Sequence, residues 1–408
     1  MRNTDPRRPV AVVAIITALC LLGDSMLYVV LPIYYQEAGL SSLWEVGVLL
    51  AVNRFVRLPL NPLAGWLYEK FPLRTGLTLA VLLGSCTTLG YGLCRGFWAW
   101  LLLRCLWGLA WSLLRMGGFA TVVRYSDATN RGQLIGMYNG LYRLGSLFGM
   151  LFGGLLAPWI GLSRLALGMG GISLAGLAFV TGHAFRKQHT GGNRPQGHAV
   201  TLPWNSTVTK IILSGFGTAM LFQGLLTATL SYVILNHRGP VLPLWGLSIG
   251  AATLSGILLG ARWVWEPFVA DICGRWSDGP RGRIPLLTAS LLGAGIGFLL
   301  IPWPLPLGLW IVAVVWVLLT ATSLTTLVDA LAADVAKQST LAVMTVHSIA
   351  LDLGAALGPI LGYWFIGFAN GLSLTYTSGG VLMLLLCGWW GLDLVRRKGQ
   401  KQKCGPSP

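Results

Sequence analysis

Charge is what this 408-residue chain has least of. Only 10% of its residues are Asp, Glu, Lys or Arg, and just 13 of them are acidic. A soluble domain keeps roughly a quarter of its residues charged. A soluble enzyme and a cytosolic binding module are therefore excluded. Cysteine is also scarce. The seven stand at Cys20, Cys86, Cys94, Cys105, Cys273, Cys387 and Cys404, and none has metal-ligand or redox spacing. They read as small packing residues, so no disulfide framework, metal or cofactor is expected. A phosphate-binding glycine loop, a zinc signature and a nucleophile elbow are all missing, and no enzymatic activity is expected.

What fills the chain is hydrocarbon. Hydrophobic residues make up 54% and the mean hydropathy is +0.68. Apolar runs near 20 residues recur from end to end, the length that crosses a bilayer as a helix. The first follows Met-Arg-Asn-Thr-Asp-Pro-Arg-Arg, runs on for about 25 residues without a small-residue cleavage site, and reads as a first span rather than a cleaved signal. The fold expected is an all-α membrane protein with twelve transmembrane helices. Spans fall near 10–35, 43–68, 75–94, 97–123, 132–160, 163–184, 208–234, 243–271, 284–302, 306–333, 340–368 and 373–395. The division expected is a six-helix bundle over 1–184, a cytoplasmic linker over 185–207, a second bundle over 208–395 and a basic, disordered tail over 396–408.

The net charge of +16 invites a nucleic-acid reading. Loop basicity explains it better, because basic residues gather on the cytoplasmic side of membrane proteins. One side collects Arg2, Arg7, Arg8, Lys70, Arg74, Arg124, Arg131, Arg186, Lys187, Arg194, Lys210, Arg275, Arg281, Arg283, Lys337 and the tail. The other holds Arg95, Arg164 and Arg238. Both termini are expected in the cytoplasm, in a bacterial-style inner or plasma membrane. The acceptor-like Asn205-Ser206-Thr207 then lies on the wrong side for glycosylation.

A loop signature occurs twice, 209 residues apart. Gly65-x-x-x-Glu69-Lys70-x-x-x-Arg74 follows the second span. Gly274-x-x-x-Asp278-x-x-Arg281-x-Arg283 follows the eighth. An internal repeat of this kind predicts two homologous, pseudo-symmetric bundles. Arg104 with Gly108 in the fourth span is a second signature. The third is a glycine run, Gly145, Gly149, Gly153 and Gly154 in the fifth span, matched by Gly354, Gly358 and Gly362 in the eleventh. Glycines four apart let two helix backbones approach closely.

Over essentially the whole chain these motifs resemble the major facilitator superfamily. Glu69 and Pro72 depart from that family's loop pattern, and the fifth-span glycine run lacks the proline usual in antiporters. The resemblance implies alternating access by two bundles. Asp24, with Pro32 eight residues on, is similar to the first-helix motif of drug/proton antiporters.

Ionisable residues inside spans cost about 3 kcal/mol or more and usually mark function or a partner. The repeat orders them. Arg57 and Glu266 each lie eight residues before the loop glycine, and Arg143 and Asp352 each lie six before an equivalent seam glycine. With the helix neighbours of the family, Arg57 would pair with Asp352 and Arg143 with Glu266 across the two halves. The other reading keeps each charge within its own half or in a wet cavity. Asp24 lies about 21 Å along its helix by rise, at the depth of Arg104, so these two form either a proton-coupling pair or a static one. Arg115 and Gln223 are possible substrate contacts, as are Trp245, Trp263 and Trp265. Glu69 and Asp278 read as loop latches, Asp329 and Asp334 as loop caps or partners of Lys337, and His347 as a hydrogen-bonded core residue.

The function this implies is a monomeric secondary transporter for a small organic solute, exporting it against protons. Uptake by symport, lipid translocation and a non-transporting scaffold of the same fold remain alternatives.

Overall fold

The computed structural model describes residues 6–127, 130–181, 205–244, 247–279, 282–336 and 340–403. Helices dominate: α1 (Arg7–Tyr34), α2 (Leu43–Lys70), α3 (Leu73–Leu93), α4 (Phe97–Tyr125), α5 (Arg131–Leu174), α6 (Gly176–Thr181), α7 (Ser206–Thr218), α8 (Thr227–Arg238), α9 (Ala251–Ser277), α10 (Arg283–Leu300), α11 (Leu307–Ala336), α12 (Thr340–Ile366) and α13 (Gly371–Lys403). A π-helical stretch, Ala219–Leu226, joins α7 to α8 without a break.

Among the described residues, nine helical stretches are long and apolar enough to cross a membrane. One of these, 131–180, is broken inside at Gly161, whose φ of 76° no other residue type adopts cheaply, so it serves as the fifth and sixth spans. The remaining two segments are α2 and α9. Both fall below the hydropathy of the rest because they hold the intramembrane charges Arg54 and Arg57, or Arg262 and Glu266, together with Pro59 and Pro62, or Pro267. Twelve segments result.

The ends follow local chemistry. Ser42 caps α2 by accepting from the Glu45 amide at 3.4 Å, while Glu45 reaches back to the Ser41 amide at 2.7 Å. Asn205 caps α7 by accepting from the Val208 amide at 2.9 Å, which gives Asn-Ser-Thr a structural reason unrelated to sugar. Three connections differ from the sequence expectation. The eighth span begins at Ala251 rather than near 243, because Val241–Leu244 and Leu247–Gly250 form an antiparallel hairpin. Its apolar residues read in sequence as the start of a helix. The basic stretch Arg396–Lys403, read as a disordered tail, continues α13, in keeping with the helix propensity of Arg, Lys and Gln. Most of the linker, 185–204, lies outside the described residues.

Packing groups the helices into two units. One holds α1 to α6, α8, the hairpin and α9 as far as Trp263. The other holds α7, the π stretch, α9 from Val264, and α10 to α13. In the first unit α1 lies along α5. A side chain at Gly145 would strike the carbonyl oxygen of Ala18, and one at Gly149 the carbonyl of Leu22. The second unit repeats this seam. Gly354 meets the carbonyl of Phe216 and Gly358 that of Met220. Phe216 and Met220 stand 198 residues after Ala18 and Leu22, whereas the seam glycines stand 209 apart. The 11 extra residues fall where the second half carries its π stretch and its hairpin. Lipid offers no hydrophobic drive between helices, so close backbone contact of this kind is what holds them together.

Candidate functional site

Asp24 on α1 and Arg104 on α4 form an ion pair. Arg104 is 0% exposed, and the Asp24 side chain 12%. The guanidinium also donates through Nε to the Leu49 carbonyl of α2 at 2.8 Å. Tyr91 of α3 and Tyr28 of α1 stand close enough to act on Arg104 electrostatically, and Tyr91 stacks on Trp100 with ring centres 4.8 Å apart. One arginine thus ties α1 to α2 and α4, with α3 alongside. The next residue along α1, Ser25, donates to Ser146 of α5 at 3.2 Å. The Leu49 carbonyl and the tyrosines carry no motif and were not legible in sequence.

Arg57 of α2 is buried, and its Cζ lies 5.9 Å over the ring of Trp111. Arg143 of α5 lies 5.5 Å from the ring centre of Trp263, and Arg262 lies 5.7 Å from the same ring. Asp352 on α12 and Glu266 on α9 belong to the second unit. Arg115 sits over Phe119 at 5.7 Å. Gln223 lies half-buried in the π stretch of the second unit. Trp245 lies outside the described residues.

At one end of the first unit, loops and kink are bonded together. Arg95 donates to the Glu37 carbonyl, and Glu37 Oε2 accepts from the Leu162 amide, just past Gly161, at 3.1 Å. The loop signatures lie elsewhere. Gly65 and Gly274 have open space at the Cβ position. Lys70 turns its ammonium onto Trp66, 4.0 Å from the ring centre. Among the described residues Glu69 makes no ion pair with Lys70 or Arg74, so the first loop latch is not formed. The reason is geometric: α2 runs helically through Lys70, which holds Glu69 exposed on its last turn. In the second copy Asp278 does accept from Arg283 at 3.0 Å, and Arg283 bridges on to Asp334 of α11 at 3.1 Å. Arg281 and Lys337 lie outside the described residues.

His347 is buried on α12, and its Nε2 lies 2.9 Å from Asp329 of α11. Asp329 therefore belongs to the histidine rather than to a loop cap. Lys210, counted among the loop bases, is 6% exposed and donates to Asp393 of α13 at 2.9 Å. Asp393 was missed because it lies in the last turns of the chain's final span.

A family model described as Major Facilitator Superfamily matches residues 13–271. An MFS-type transporter of Yersinia pestis (strain Pestoides F) is 27% identical over 161 residues, 38% of this chain and 42% of that protein. Another from Salmonella newport (strain SL254) is 25% identical over 160 residues. The chain thus spans about two-fifths of the length of the curated relatives it matches. Among solved structures, the inward-facing, unoccupied form of a bacterial homolog to the human lysosomal transporter Spinster superposes with a TM-score of 0.74 at 15% identity. That superposition covers 96% of this chain and 97% of the other. The occupied form gives 0.73. At such identity the likeness concerns the fold. With the twelve helical segments and the matched family model, the chain belongs to the major facilitator superfamily.

Proposed function

We propose that this multi-pass membrane protein is a proton-coupled exporter of a small organic solute, working by alternating access as a monomer. The observation that carries the reading is the buried Asp24–Arg104 pair. A carboxylate desolvated inside the membrane is tolerated only when paired. Protonation removes the charge that holds Arg104 to α1 and frees α4 to move. Because the same guanidinium bonds α2, the proton reaches three helices at once. Outward direction is supported by the glycine seam on α5, which is similar to that of antiporters. In this reading the chain divides six plus six with both termini in the cytoplasm, and Arg57 pairs with Asp352 and Arg143 with Glu266 when one face is closed.

Proteoliposomes test it. Protein is reconstituted with a pH-sensitive dye inside, and organic cations, anions and neutral amphiphiles are added in turn. Proton movement driven by one class, abolished by Asp24→Asn, is the result expected. Solute movement with no proton movement would show facilitated transport instead.

A further inference from the structure

Six arginines stand well inside spans of the first unit: Arg54, Arg57, Arg104, Arg115, Arg143 and Arg262. Among the described residues one acid, Asp24, stands there with them. Two of these arginines border an aromatic run. Arg57 lies over Trp111, Trp111 meets Tyr142 edge-on at 5.8 Å, Tyr142 tilts onto Tyr138 at 5.1 Å, and Tyr138 onto Phe119 at 6.0 Å. Arg115 closes the far end over Phe119. Two guanidinium groups, one on α2 and one on α4, thus bracket four rings on α4 and α5.

Among the four rings, the Trp111 indole is left with an unsatisfied donor. Trp111 is 9% exposed, and its Nε1 is buried without a hydrogen bond among the described residues. An indole N–H only donates, so what completes it must accept. Its ring face already carries a cation, so a negatively charged acceptor at the ring edge gains from both groups.

We propose that the solute is an organic anion with a flat apolar body. Its oxyanion accepts from Trp111 Nε1 beside Arg57, and its body lies along Trp111 and Tyr142. The assignment rests on the transporter reading and adds the substrate class to it.

The test is equilibrium binding to the full chain in lipid nanodiscs, without a proton gradient. Three probes share one ring system: 2-naphthoate, 2-naphthamide and 2-naphthylmethylammonium. The naphthoate is expected to bind about tenfold tighter than either other probe. Trp111→Phe keeps an aromatic ring and removes the donor, and is expected to weaken the naphthoate more than the naphthamide and so to erase most of that preference. The three-probe comparison on the unaltered chain stands even if the variant does not fold. Equal affinity for all three, or tightest binding of the cation, overturns the assignment, as does a folded Trp111→Phe that keeps the anion preference. Anion-selective binding without proton movement in proteoliposomes upholds it and overturns proton coupling instead.

Discussion

Arg104 is where the polar bonding of the first unit converges, and its removal should show it. Arg104→Ala strands the Asp24 carboxylate in a site with little water, and breaking one partner of a buried pair costs about 3–5 kcal/mol. Asp24→Asn keeps a group that can still accept from the guanidinium, so it should cost less. The double substitution should be less destabilised than the sum of the two singles, measured by thermal unfolding in detergent. Strict additivity would show that the pair is not coupled. His347→Ala makes an informative contrast. Its partner Asp329 has a side chain 59% exposed, so water takes over when the imidazole is lost, and the penalty should fall well below that of Arg104→Ala. At this scale the sequence disclosed depth, because residue counting along a helix converts directly to rise. It did not disclose rotation. That Arg57 faces Trp111, or that Leu49 offers its carbonyl to Arg104, depends on how each helix turns about its axis.

At the scale of elements, the first glycine seam makes opposite predictions for two glycines on one helix. Gly149 has the Leu22 carbonyl where a Cβ would go, whereas Gly140 has open space. Gly149→Ala should push α1 off α5 and lower the unfolding temperature. Gly140→Ala on the same helix should be neutral or stabilising by up to about 1 kcal/mol, because Ala orders the helix at less entropic cost. The repeat adds a check: Gly358→Ala, against the Met220 carbonyl, should behave like Gly149→Ala. The seams were legible because glycine at a spacing of four is a visible pattern. The hairpin Val241–Leu244 with Leu247–Gly250 was not, since its apolar residues extend an apolar span without a break in composition. The π stretch Ala219–Leu226 was hidden for a similar reason: one residue added per turn leaves the apolar run intact.

For the whole molecule, the claim is that the charge state of Asp24 governs which face of the protein is open. Composition and the duplicated loops were enough to read twelve spans and a repeated architecture. The solute was beyond such a reading, because specificity lies in a few side-chain directions rather than in hydropathy. Pulsed electron-spin measurement of the distance between labels on Leu93, at the end of α3, and Trp303, after α10, tests the claim without knowing the solute; the two sites are 71% and 61% exposed. In a background freed of the seven native cysteines, acidification from neutral pH should shift the distance distribution. Asp24→Asn at neutral pH should already show the acid distribution and respond no further. An unchanged distribution on acidification, or an Asp24→Asn protein that still shifts like the unaltered chain, would contradict the account.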